Sequence, residues 1–218
     1  MRIPAAALVL AALLAALPLP SALRAQTAGP PTTDAAPEAL APRPAPLRVA
    51  LETSLGRIVL ALDAERASAT VANFLAYVDA GHYNGTVFHR VIPGVLVQGG
   101  AYTPDLQPKP ERAPIPNEAG NGLSNRRGSL AAARRPDDAG SATLQFFINL
   151  ADNPQFDPVP GAGDAGAGYA VFGEVVEGME VLDRIAAVET GPAGPFPSRV
   201  PKTPVVIERA SRLEEVRP

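Results

Sequence analysis

The sequence predicts a mainly β fold, a closed antiparallel β-barrel capped by two α-helices. Three observations carry this expectation. An N-terminal hairpin is followed by six short strand candidates at 86–92, 95–98, 128–133, 144–149, 169–175 and 204–212. Gly, Pro and Asn turn signals separate them, and only two segments show a helical period. Eight strands with two helices fit a barrel better than alternating β-α-β units.

The chain opens with MRIPAAALVLAALLAALPLPSALRAQ, in which Arg2 precedes an apolar run from Ala5 to Leu17, with Pro18, Pro20 and a small-residue exit at Ala25 behind it. This pattern predicts a secretory signal peptide over residues 1–25, cut between Ala25 and Gln26. A membrane span needs about 20 apolar residues, more than this run holds. Residues 26–46 are rich in Pro, Ala and Thr and have no aromatic side chain, which predicts a semi-extended tether that buries too little to fold alone. The expected folded domain runs from 47 to 214, with 215–218 a tail.

In LRVALETSLGRIVLAL, Leu47, Val49 and Leu51 alternate with polar residues, and Ile58, Leu60 and Leu62 resume the alternation after a turn at Ser54–Gly56. That is an antiparallel hairpin with a buried face. The period then changes: Val71, Phe74, Leu75 and Val78 share one helix face, with Ser68 or Thr70 as cap and Gly81 as stop. The second helix, GMEVLDRIAA, turns Met179, Leu182 and Ile185 inward. Three stretches heavy in Pro or Gly, 100–117, 152–168 and 188–203, read as long loops, which in a compact domain are usually functional.

Composition excludes several functions. The 218 residues carry a net charge of −3 with no basic tract, a poor basis for binding nucleic acid. The leader holds Arg2 and Arg24 and no acid, so its removal leaves a more acidic chain. Cysteine is absent, which removes disulfides, thiol nucleophiles and thiolate metal sites. His82 and His89 are the only histidines and have no third ligand at a useful spacing, so neither a metal nor any other cofactor is expected. No G-x-S-x-G elbow accompanies them. The run GAGDAG at 161–166 matches a dinucleotide fingerprint but lacks the strand before and helix after that the mechanism needs, so it reads as a loop. Asn84-Gly85 reads as a turn before it reads as a glycosylation site.

What remains is Arg90, Gln98 and Gln145 among Phe88, Leu96, Phe146, Phe147, Phe156, Tyr169 and Phe172. Alternate strand residues take opposite faces, so Phe146 and Phe147 occupy different environments, one filling the barrel and the other free to line a site. Composition alone equally allows these aromatics to be ordinary core and Arg90 to be a surface or ion-paired arginine.

The run Phe88-His89-Arg90-Val91-Ile92-Pro93-Gly94 followed by Gln98-Gly99-Gly100 resembles the signature of the cyclophilins, the peptidyl-prolyl cis/trans isomerases. NGLSNRRGSLAAAR, SATLQFFINLADN and YAVFGEVVEGMEVLDRI follow in the same order, so the resemblance covers roughly Leu47 to Arg212 and is nearest to the exported bacterial branch. It implies an eight-stranded barrel closed by two helices, and a monomeric, periplasmic isomerase acting on unfolded or partly folded proline-containing polypeptides.

By the same resemblance Arg90 is catalytic. Phe147, Leu96 and Tyr169 line the proline pocket, Gln98 holds a backbone carbonyl, Ala133 presents backbone to the peptide and Gln145 borders the groove, while His89 gives structural support. Val95 stands where the family commonly has an aromatic residue. At Gln155-Phe156-Asp157 either Gln155 takes the family's aromatic position or a shift of one residue puts Phe156 there. These departures leave open a rival function, a proline-peptide-binding or chaperone module with little turnover.

Overall fold

A computed structural model describes residues 47–214. The predicted leader, tether and tail lie outside the described residues. In chain order the elements are β1 (Leu47–Thr53), β2 (Gly56–Leu62), α1 (Ser68–Asp79), β3 (Thr86–Val87), β4 (Arg90–Ile92), β5 (Leu96–Gly99), β6 (Ser129–Ala132), β7 (Phe146–Asn149), β8 (Val171–Glu177), α2 (Met179–Ala186), β9 (Thr190–Ala193), β10 (Phe196–Pro201) and β11 (Val206–Leu213). None of the described helices is long and apolar enough to cross a membrane.

Nine strands form one antiparallel sheet in the order β3-β11-β1-β2-β8-β6-β7-β5-β4. This corrects the expectation of a closed eight-stranded barrel, and the reason is local. The strand expected at 86–92 breaks at Phe88-His89, which turns eight strands into nine. Before the break β3 pairs with β11, and the Phe88 N–H donates to the Val205 carbonyl at 3.0 Å; after it, β4 pairs with β5. The two edge strands are therefore consecutive pieces of one run, lying end to end, and the hydrogen-bonded ladder stays open. Because three residue steps span at most about 10 Å, the edges are held near each other and the sheet must curl.

The curl encloses one core. Val49, Leu51, Ile58, Leu60 and Leu62 of the hairpin enter it, as do Phe88, Val91, Val97, Leu130, Phe146, Ile148 and Phe172. Leu47, the first residue of β1, stays exposed. Helix α1 closes the core with Val71, Phe74, Leu75 and Val78, and α2 with Val181, Leu182 and Ile185; Met179 is only partly buried at its edge.

The start of α1 differs from expectation. Its N-cap is Ala67, without a side-chain bond, and neither Ser68 nor Thr70 caps it. Glu118 does so from 48–49 residues away: its carboxylate accepts from the N–H groups of Ala69 (3.1 Å) and Thr70 (2.8 Å) and from the Thr70 hydroxyl (2.6 Å). A carboxylate on these orphan donors also suits the helix dipole, and it pins the end of the 100–117 loop to the fold. At the other end Gly81 takes φ +62°, the left-handed stop the sequence predicts.

The 188–203 stretch, expected to be loop, holds the β9–β10 hairpin, a separate two-stranded sheet. Its Phe196 ring packs 5.4 Å from His89 and 5.1 Å from Tyr102, which seats the hairpin beside β4.

Candidate functional site

The register sets the site. Arg90 pairs with Gln98, Gln98 with Phe147, Phe147 with Ala131 and Ala131 with Val171, so these five residues form a row across β4, β5, β7, β6 and β8. Directly paired residues share a sheet face. Their neighbours Val91, Val97, Phe146 and Leu130 belong to the enclosed core, so the row faces outward. Phe146 and Phe147 are thereby divided between two clusters: the core and a smaller outer one containing Leu96, Ala131, Phe147 and Val171.

Ile92, Val95, Leu123, Ala133, Phe156 and Tyr169 pack against that outer cluster while remaining partly exposed. Phe147, Phe156 and Tyr169 form a triangle of edge-on rings with centroids 5.5–5.6 Å apart, the favoured arrangement for aromatic quadrupoles. Phe147 is its buried floor, and the two partly exposed rings are its walls.

Of the two adjacent candidates for the family's aromatic position, one packs into the aromatic cluster and the other does not. Phe156 enters the triangle; Gln155 is exposed and donates to the Asn153 side chain at 3.0 Å. Phe156 sits at the end of a short 3₁₀ turn, Pro154–Phe156. A buried polar network fixes this turn. Asp157 accepts from the backbone (2.7 Å) and side-chain (2.9 Å) nitrogens of Asn125, and Asn153 N–H donates to the Asn125 carbonyl at 2.7 Å. Asn149 donates to Asn125 and Ser129, and Asn153 donates to Asn149 and to the Val95 carbonyl. These asparagines are almost fully buried, where an unpaired amide costs about 1–3 kcal/mol, so the network holds the wall in one geometry.

Tyr169, the other wall, pairs its N–H with the Phe156 carbonyl at 2.9 Å. The Arg134 guanidinium lies 4.9 Å above its ring and donates to the carbonyls of Gly168, Arg135 and Pro136. Gly168 has φ +71°, and a Cβ there would stand 2.6 Å from the Pro158 nitrogen, so only glycine fits where the 152–168 loop rejoins the wall.

Beside the aromatic recess runs a polar chain. Arg90 Nη1 donates to Gln98 Oε1 at 3.1 Å, and Gln98 Nε2 donates to Gln145 Oε1 at 2.8 Å. Arginine can only donate, so the Gln98 oxygen must face it and the amide nitrogen is left for Gln145. Arg90 is partly buried and forms no ion pair among the described residues. Burial, and then the charge of Arg199, lower its affinity for the proton, yet a guanidinium stays charged at any working pH. His89 is buried beneath the β9–β10 hairpin, and desolvation followed by the Arg90 charge lowers its pKa to about 4.

All nine residues singled out in the sequence for the site meet on this outer face: Arg90, Gln98 and Gln145 in the polar chain, and Val95, Leu96, Ala133, Phe147, Phe156 and Tyr169 around the recess. Residues that sequence reasoning missed are the asparagine network, Arg134 above Tyr169, and the β9–β10 hairpin with Arg199. The spacing of the asparagines, at 125, 149 and 153 beside the strands, was a visible signal for the first; nothing in the sequence marked the other two.

Comparison with known proteins establishes the family. The model of the family "Cyclophilin type peptidyl-prolyl cis-trans isomerase/CLD" matches residues 48–212. Peptidyl-prolyl cis-trans isomerase A of Dickeya dadantii is 50% identical over 77% of this chain and 85% of its own length. Peptidyl-prolyl cis-trans isomerase cyp18 of Streptomyces antibioticus is 52% identical over 76% of this chain and 98% of its own. Among solved structures, a cyclophilin-type isomerase of Cryptosporidium parvum, crystallised in the presence of the dipeptide Ala-Pro, superposes with a TM-score of 0.64 over 77% of this chain and 99% of that one, at 24% identity, which speaks for the fold. The chain belongs to the cyclophilin-type peptidyl-prolyl cis-trans isomerases and is an enzyme of that class.

Proposed function

We propose that the protein accelerates rotation about Xaa-Pro bonds in unfolded or partly folded exported polypeptides, with Arg90 as its catalytic residue. The observation that carries this reading is the Arg90–Gln98–Gln145 chain running along the edge of the Phe147–Phe156–Tyr169 recess. The recess takes the proline ring. Gln98 and Gln145 border the peptide, and Ala133 lies where backbone can meet it.

An amide must twist through a state about 18–20 kcal/mol above planar, because resonance gives its C–N bond double character. In that twisted state the prolyl nitrogen becomes pyramidal and its lone pair can accept a hydrogen bond. Gln98 uses one N–H of Arg90, and the remaining guanidinium donors have no partner among the described residues. A donor held at that nitrogen binds the twisted state better than either planar form, which is the condition for catalysis. No bond is broken and no proton is transferred, so neither a nucleophile nor a titrating base is required.

A hydrogen bond to a charged donor is worth about 1.5–3 kcal/mol, or roughly ten- to a hundredfold in rate. The cis-to-trans rate of an Ala-Pro reporter peptide, measured with the chain from Gln26, should therefore fall at least about tenfold in Arg90→Ala, with Arg90→Lys in between. An undiminished rate in Arg90→Ala would remove Arg90 from the mechanism. Peptide binding by a folded wild type without acceleration would instead favour the binding-module reading.

The site of action we place outside the cytoplasm, in the periplasm, on the strength of the leader-like first 25 residues. The mass of the protein recovered from an exporting host should be that of a chain beginning at Gln26. A retained Met1 would overturn this placement.

A further inference from the structure

One feature of the groove's border is unexplained by the reaction itself. Strand β10 is bulged: Phe196 pairs with Ala193 and Val200 with Gly191, so four steps along β10 are matched by two along β9. Within the bulge Arg199 takes φ +70°, a left-handed backbone that non-glycine residues seldom adopt, and its side chain is exposed. Bulges re-aim side chains beside functional sites, and residues held in such conformations persist where surrounding structure imposes them.

The surrounding structure here is the contact of Phe196 with His89 and Tyr102, which seats the hairpin against β4 next to Arg90. Arg199 is close enough that its charge opposes protonation of Arg90. On the opposite side of the recess, Arg134 stacks over Tyr169 and is bonded only to backbone carbonyls.

None of these three arginines has a carboxylate within ion-pair distance among the described residues. Of the acids in the adjoining segments, Asp138 pairs with Arg135 and Glu189 with Lys202, while Asp157 accepts hydrogen bonds from Asn125. A protein with a net charge of −3 thus keeps three arginines around its groove without an ion-pair partner among the described residues.

We propose that the groove selects proline sites flanked by a carboxylate: Arg199, aimed by the bulge of β10, acts with Arg90 and Arg134 to favour clients with Asp or Glu within a few residues of the target proline. The proposal rests on the outer face being the peptide groove and names the substrate class that groove prefers. Each cation is exposed or half-exposed, so the effect is one of complementary charge and is screened by salt.

The test uses reporter peptides identical except for Glu, Gln or Lys two residues before or two residues after the proline. At roughly 20 mM ionic strength kcat/KM for the better Glu peptide should exceed that for its Lys counterpart by about three- to tenfold, and the ratio should shrink below about twofold near 0.5 M salt. Arg199→Glu should bring the ratio to one or below it, and Arg199→Gly, which suits the left-handed backbone, should lower it partway. Equal kcat/KM for the Glu and Lys peptides at low salt, or a preference that Arg199→Glu leaves unmoved, would overturn the proposal. The Gln peptide separates the two readings: its acceleration by wild type upholds the isomerase groove whatever the charge preference. If it is not accelerated, fluorescence anisotropy of the same three peptides decides the charge preference by binding alone.

Discussion

The two faces of the curled sheet are built from the same few strands and could hardly be more different. Inward, Val97, Leu130, Phe146 and Ile148 pack with the helices into a continuous apolar core. Outward, one residue along each strand, Gln98, Ala131 and Phe147 form a row with Arg90 that leaves a guanidinium beside an open aromatic recess. Period-2 alternation gives a single strand two separate environments, so the core and the proposed site occupy neighbouring residues and can be perturbed independently.

Phe146 and Phe147 put this contrast to the sharpest test. Phe146 is buried and touches the rings of Phe74, Tyr83 and Phe88, so Phe146→Ala opens a cavity inside a closed core. Such a substitution costs about 3–5 kcal/mol, a large share of a domain's stability. Phe147→Ala removes a floor whose neighbours Phe156 and Tyr169 are half-exposed and can settle inward, so its stability cost should be the smaller of the two. Its main effect should fall on kcat/KM for proline peptides. Urea unfolding and reporter turnover on both variants check this; equal losses of stability would mean that the outer cluster is simply more core.

The inner face was largely legible in the sequence and the outer face only in part. Alternation and helical period identified Val49 to Leu62, Val71 to Val78 and the strands because burial of one face imposes a repeat on local sequence. The break at Phe88-His89 was not legible: it arises because the chain leaves β11 for β5 at that point, a tertiary choice with no local signature. The cap of α1 was misassigned for a similar reason, since Ser68 and Thr70 are suitable in type, but Glu118 reaches their position from a distant loop and supplies a stronger, charged acceptor. The nine candidate site residues came from an ordered family resemblance, not from periodicity. Phe156 needed the structure, because a 3₁₀ turn pinned by Asp157 decides which of two adjacent residues faces the recess. Arg199 escaped because a Pro- and Gly-rich stretch reads as loop even where it pairs as a hairpin.

His89 refines the comparison, being a polar side chain as buried as the core yet adjacent to Arg90 in the chain. It is 3% exposed, and its Nδ1 has no hydrogen-bond partner. With a pKa of about 4 in the fold against an ordinary 6.5, it is neutral in the native protein across the working range. The unfolded chain binds this proton more tightly, so between these two values the unfolded state holds more protons and native stability falls as pH drops. Over that window His89 should contribute a loss of about 3 kcal/mol, complete once the pH is below 4. Denaturant unfolding from pH 7 to 4 should show this slope, and His89→Phe, which keeps an aromatic ring against Tyr102 and Phe196, should flatten it. Turnover should behave differently: Arg90 is charged and His89 neutral throughout, so kcat/KM should be level from pH 6 to 9. A bell-shaped profile in that range would assign a titrating group to the reaction and break the separation between a buried histidine that serves the fold and an arginine proposed to serve the chemistry.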